Sequence, residues 1–122
     1  MSGRVPDCRQ SVAEVLELLS SGDKQLSYER DVPQASVTDE LFSLWFDDRY
    51  LPDDDYFQNC FSQEELAALA AFNEYYEKHE KLLPEPRNGV TDWLRNETWQ
   101  GIMRQAARTL LLLRASAPPG RP

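Results

Sequence analysis

Few side chains in this sequence have the type and spacing that catalysis needs. The single histidine, His79, lies among Glu77, Lys78 and Glu80. A histidine base requires a nucleophile or an orienting carboxylate converging on it, and the local sequence supplies neither. Near the end of a helix, however, a histidine suits the negative end of the dipole, and that surface role is the expected one. Cys8 and Cys60 stand in no CxxC or Cys/His pattern. They read as two reduced thiols or as one disulfide, with reduced thiols expected because no export signal accompanies them. Cys8 falls in what reads as an N-terminal arm, whereas Cys60, between Asn59 and Phe61, is expected to pack as a small apolar group. The sequence contains no glycine-rich phosphate loop, no GxSxG elbow and no HExxH pair.

Carboxylates are plentiful. Asp47-Asp48 and Asp53-Asp54-Asp55 offer oxygen ligands of the kind calcium and magnesium take, but the spacing lacks the central glycine and final glutamate of an EF-hand loop. Consecutive aspartates also diverge, which makes a triplet a poor chelate. Glu64, Glu65, Glu74 and Glu77 share a helical stretch without the ExxH pairs of a di-iron bundle. No metal and no cofactor are therefore expected, and the chain reads as a binding protein and not an enzyme.

The distinctive stretch is Trp45 to Phe57, WFDDRYLPDDDYF. It interleaves aromatics with five aspartates and one arginine. Aromatics make rigid, high-area anchors, and carboxylates around them steer and select a basic partner. The candidate partner-binding residues are Asp47, Asp48, Tyr50, Asp53, Asp54, Asp55, Tyr56 and Phe57. The same pattern also fits aromatics turned into the core beside a solvated acidic loop.

The charge distribution points to the same region. The formal net charge is −8, yet residues 29–80 hold 14 acidic against three basic side chains, a balance of −11. Residues 81–122 hold seven basic and three acidic groups, a balance of +4. Such a field favours encounter with basic partners and disfavours nucleic acid and anionic membranes. No stretch approaches the ~20 apolar residues of a membrane span, and the N-terminus lacks the apolar core of a secretory signal. A cytoplasmic location is expected.

The elements that must position these residues read as helices. Ser11 and Glu14 form a capping-box pattern ahead of Val12, Val15, Leu16 and Leu19. Asp23 to Pro33 has no helical period and reads as irregular or extended, with Gln25 to Glu29 a candidate short strand. A second helix should begin near Ser36 or Thr38 and bury Leu41, Leu44 and Trp45; Pro52 ends the pattern. Ser62 and Glu65 form a second capping box, with Phe61 and Leu66 as a hydrophobic staple, and this third helix should run to about Leu82 with Leu66, Leu69, Ala70, Phe72 and Tyr76 inward. A fourth, from Thr91 or Asp92, carries Trp99, Ile102, Met103, Ala106, Leu110 and Leu113 at helical spacing, with Gly101 marking close packing. At 122 residues this amounts to one all-α domain over residues 1–114, a compact bundle of four or five helices with a flexible tail at 115–122.

A small acidic helical chain with an Asp/Tyr-rich stretch resembles bacterial toxin-immunity proteins. The helical members that neutralise nuclease colicins cover a basic surface with acidic residues and tyrosines. The resemblance lies in size, charge and local composition, and it implies that Asp53 to Phe57 form the contact stretch, with a basic toxin domain as partner. A second expectation, of a different class, is an adaptor or regulatory subunit docking through the apolar face at Leu110 to Leu113. A homodimer formed through that face is a further form of it.

Overall fold

The computed structural model describes residues 8–32, 36–83 and 89–115, and these are almost wholly helical. The order is α1 (Cys8–Ser20), α2 (Gly22–Asp31), α3 (Val37–Ser43) running directly into a π-helical turn (Leu44–Arg49), α4 (Asp55–Asn59), α5 (Gln63–Glu80), α6 (Val90–Leu94) and α7 (Glu97–Ala115). The all-α class read from the sequence holds. The count is seven α-helices among the described residues, more than the four or five expected.

The largest correction is α2. Residues 23–31 are neither extended nor irregular: Ser21 caps the helix by accepting from the Lys24 amide at 3.2 Å, with Asp23 in the first turn and Arg30 in the last. No apolar period betrays it because Gln25 is its one fully buried residue. The Gln25 amide nitrogen donates to the carbonyls of Leu18 at 2.9 Å and Leu19 at 3.1 Å, satisfying the end of α1. Its carbonyl oxygen accepts from the Trp99 indole at 3.1 Å. One buried amide thus joins α1, α2 and α7, and each of its bonds replaces a group that would otherwise be desolvated unpaired.

Three boundaries also differ. α1 begins at Cys8, so Ser11 lies inside the helix instead of capping it. The expected fourth helix is broken at Arg95-Asn96, where the Asn96 side chain accepts from the Trp99 amide at 3.0 Å and starts α7 afresh. Ala115 belongs to α7, while the rest of the expected tail lies outside the described residues, as does Pro33.

The bundle closes around α1, α5 and α7. Val12, Val15, Leu16 and Leu19 of α1 meet Trp99, Ile102, Ala106, Leu110 and Leu113 of α7 and Leu69, Phe72 and Tyr76 of α5 in one buried cluster. Ala70, expected inward, is exposed. Trp93 and Trp99 pack with ring centroids 4.5 Å apart. Gly101 is where α7 meets α5 most tightly, since a Cβ there would stand 2.8 Å from the Tyr75 hydroxyl.

A single cation ties the ends of this layer together. Arg9 of α1 forks onto the Glu65 carboxylate at 2.6 and 2.9 Å, and also donates to the carbonyls of Cys60 at 3.3 Å and Leu113 at 3.1 Å. Glu65 is buried, and the same carboxylate closes the α5 capping box through the Ser62 amide at 2.9 Å. Burial pushes the Glu65 acid up, but the Arg9 hydrogen bonds, the Ser62 amide and the guanidinium charge outweigh it and hold it below the usual range.

Candidate functional site

The acidic stretch is built by two helix ends and the turn between them. α3 changes pitch at Leu44, and the wide π turn closes with the Tyr50 amide bonded to the Trp45 carbonyl at 3.0 Å. Widening the helix here lets Trp45 bury completely while Asp47 and Asp48 stay outside. Single π turns of this kind concentrate at functional sites. The Trp45 indole donates to Asn73 of α5 at 3.0 Å, and Phe72 meets its ring edge-on. The chain then turns at Pro52-Asp53, with the Asp54 amide bonded to the Leu51 carbonyl at 3.1 Å, and Asp54 caps α4 by accepting from the Tyr56 amide at 2.9 Å. The Gln58 side chain pins the turn from below by donating to the Pro52 carbonyl at 2.6 Å.

This arrangement separates the stretch by residue type. Asp47, Asp48, Asp53, Asp54 and Asp55 are all exposed. Tyr56 is 52% exposed and Leu51 is 41% exposed. Tyr50 is half-buried, stacked on Trp45 with planes 5° apart, and touches Phe57 edge-on. Burial, and after it the Asp53 charge, push the Tyr50 hydroxyl above its ordinary value. Phe57, at 2% exposure, packs in the core against Phe61. The aromatics therefore chiefly brace the loop from within, and the carboxylates present themselves to solvent.

Among the described residues none of the five aspartates makes an ion pair. Arg49, the lone cation in the stretch, is half-buried and makes none either. It lines an open cleft of about 160 Å³ walled by Val12, Asp48, Leu51, Asp54, Tyr56 and Phe57, with Cys8 and Ser11 of α1 at one side. The contribution of α1 is absent from any reading of the stretch by itself, because it arises only when the first helix packs beside the π turn. A second open hollow, of about 270 Å³, is bounded by Tyr50, Leu51, Pro52, Asp53 and Asp54. Leu51 and Asp54 thus line both depressions.

The remaining candidates resolve as packing groups. His79 is half-buried, stacked on Tyr75 at 3.9 Å between centroids, with Nδ1 2.8 Å from the Tyr75 carbonyl. It is more enclosed than the surface role expected of it. Among the described residues no three His, Cys, Asp or Glu side chains converge as a metal site. Leu110 and Leu113 are spent in the core, which leaves Leu111, 68% exposed, as the prominent apolar group on that part of α7. No described helix is long and apolar enough to cross a membrane. No family model, curated protein or solved structure matches the chain significantly.

Proposed function

We propose that this chain is a protein-binding protein, most concretely an immunity- or antitoxin-type inhibitor that covers a basic surface of a partner enzyme. The observation that carries the reading is the set of five exposed aspartates, Asp47, Asp48, Asp53, Asp54 and Asp55, that no cation of the described residues neutralises. Holding five like charges on one braced loop opposes folding through self-repulsion, and a cationic partner relieves it. Tyr56 and Leu51 supply exposed contact area beside them. Because the loop is fixed by the π turn, the Asp54 cap and the Gln58 bond, little order need be gained on binding. The mechanism is occlusion: carboxylates meet the basic residues of the partner while the body of the bundle blocks access to its site.

The test is affinity capture of the tagged chain from its native lysate at low and moderate salt, with the triple variant Asp53→Asn, Asp54→Asn, Asp55→Asn in parallel. Asparagine keeps the α4 cap, so the variant should melt no lower than the parent. One stoichiometric basic partner, weakened both by salt and by the variant, and inhibited by the chain in its own assay, is the expected result. A partner retained equally under all three conditions, or no partner, overturns the proposal.

A further inference from the structure

An open groove of about 370 Å³ runs between α5 and α7. Ala68, Ala71, Phe72 and Tyr75 line it from α5, Arg108 and Leu112 from α7, and among the described residues no third element contributes to its wall. Leu111, beside Arg108 on the α7 surface, is 68% exposed. The two helices run antiparallel, because Arg9 joins Glu65 to the Leu113 carbonyl while Tyr75 meets Gly101.

Those two contacts set the relative height of every residue along the groove. Glu74 stands level with Arg104, Lys78 with the turn that holds Glu97, and Ala67 and Ala71 with Leu111 and Arg108. All eight of these side chains are exposed. Among the described residues Glu74, Lys78, Glu97 and Arg104 make no ion pair, although their helices are neighbours. Read at equal height, the charge order on α5 is therefore the inverse of that on α7.

We propose that this face is the interface of a homodimer, with α7 of each copy lying on α5 of the other. A two-fold axis along the groove exchanges the two helices without changing their height, so one surface serves both copies. The exchange sets Glu74 against the second copy's Arg104 and Lys78 against its Glu97. It also lays Leu111 on the low wall of Ala67 and Ala71, where small side chains let helices approach closely. A second copy is the occupant because the surface is complementary to itself in charge and shape. Each chain carries −8, but at physiological salt the Debye length of ~8 Å screens that overall repulsion more than it screens contacts within the face. The interface does not involve the Asp47 to Asp55 loop, and this inference stands whatever that loop binds.

The experiment is sedimentation equilibrium of the full chain at physiological salt, into the high micromolar range. The expected species is a dimer of twice 14.1 kDa. Leu111→Gln should raise its Kd by roughly tenfold or more, since each dimer buries two such leucines. Arg104→Glu and Glu74→Arg should each weaken the dimer to a similar extent by placing like charges opposite one another. An equimolar mixture of those two variants should dimerise as the parent does, because every reversed pair is then matched. The triple variant Asp53→Asn, Asp54→Asn, Asp55→Asn should leave the dimer intact. A parent that stays monomeric, a dimer indifferent to Leu111→Gln and to both reversals, or a mixture that fails to regain association overturns the proposal.

Discussion

Replacing Arg9 by methionine isolates the most concentrated polar interaction in the fold. Methionine keeps much of the stem packing but deletes the fork onto Glu65 and the bonds to the Cys60 and Leu113 carbonyls. Removing one partner of a buried pair costs ~3–5 kcal/mol, because the other charge is left desolvated. The Arg9 side chain keeps 23% of its exposure, so water screens the site in part and the lower end, about 3 kcal/mol, is expected. An unfolding entropy of ~2.1 cal/mol/K per residue over 122 residues converts this to a fall in Tm of roughly 12 °C. The pH dependence is the sharper signature. In the parent, the Glu65 acid lies below its ordinary value of 4.5, so its stabilisation is present above that value and fades as pH falls through the lowered folded value. In the variant the carboxylate is buried without its cation, its folded value rises, and protonation relieves the penalty as pH falls. The gap between the two proteins should be widest at pH 7 and narrow toward pH 4. Urea denaturation at a series of pH values measures it. A difference under about 1 kcal/mol at pH 7, or a larger one that does not change with pH, refutes the reasoning.

Three further outcomes follow from particular contacts. Gln25→Leu leaves the Trp99 indole and the last α1 carbonyls without their buried partner and should cost about 3 kcal/mol by urea denaturation; a loss below about 1 kcal/mol contradicts the role given to that amide. Gly101→Ala should bring no stability in the parent, where its Cβ meets the Tyr75 hydroxyl at 2.8 Å, but about 1 kcal/mol in a Tyr75→Phe background, where helix propensity is no longer opposed; additive effects in that double-mutant cycle rule out the contact. Ser62→Ala removes the acceptor for the Glu65 amide at 3.1 Å and should cost about 1 kcal/mol, which thermal melting will register as a fall of roughly 4 °C.

The parts of the fold legible in the sequence are those whose signals are local. Ser62 and Glu65 stand three apart and form the α5 capping box, and Gly101 marks a close helix approach. α2 was hidden because a helix that buries a glutamine leaves no hydrophobic stripe; its Ser21 cap and Asp23 were visible signals of the weaker kind. The break before α7 was signalled by Asn96, a good capping residue, but the apolar residues on either side continue the helical period across it. At the candidate site the aspartates face solvent and Phe57 packs in the core, as in the alternative in which the aromatics turn inward beside a solvated acidic loop. Composition cannot say which side of a π turn a residue occupies. The joining of Arg9 to Glu65, like the meeting of Cys8 and Tyr56 in one cleft wall, depends on long-range packing that no local pattern encodes.

The pairing of the first helix with the last has a consequence during synthesis. Val12, Leu16 and Leu19 are covered by α7, and Arg9 holds the Leu113 carbonyl. A ribosome-bound chain that has extruded only α1 to α5 still lacks that covering surface and one of the acceptors its arginine needs. The bundle must therefore complete its packing only after Leu113 clears the exit tunnel. Until then its apolar first helix is exposed to whatever chaperones attend the tunnel mouth.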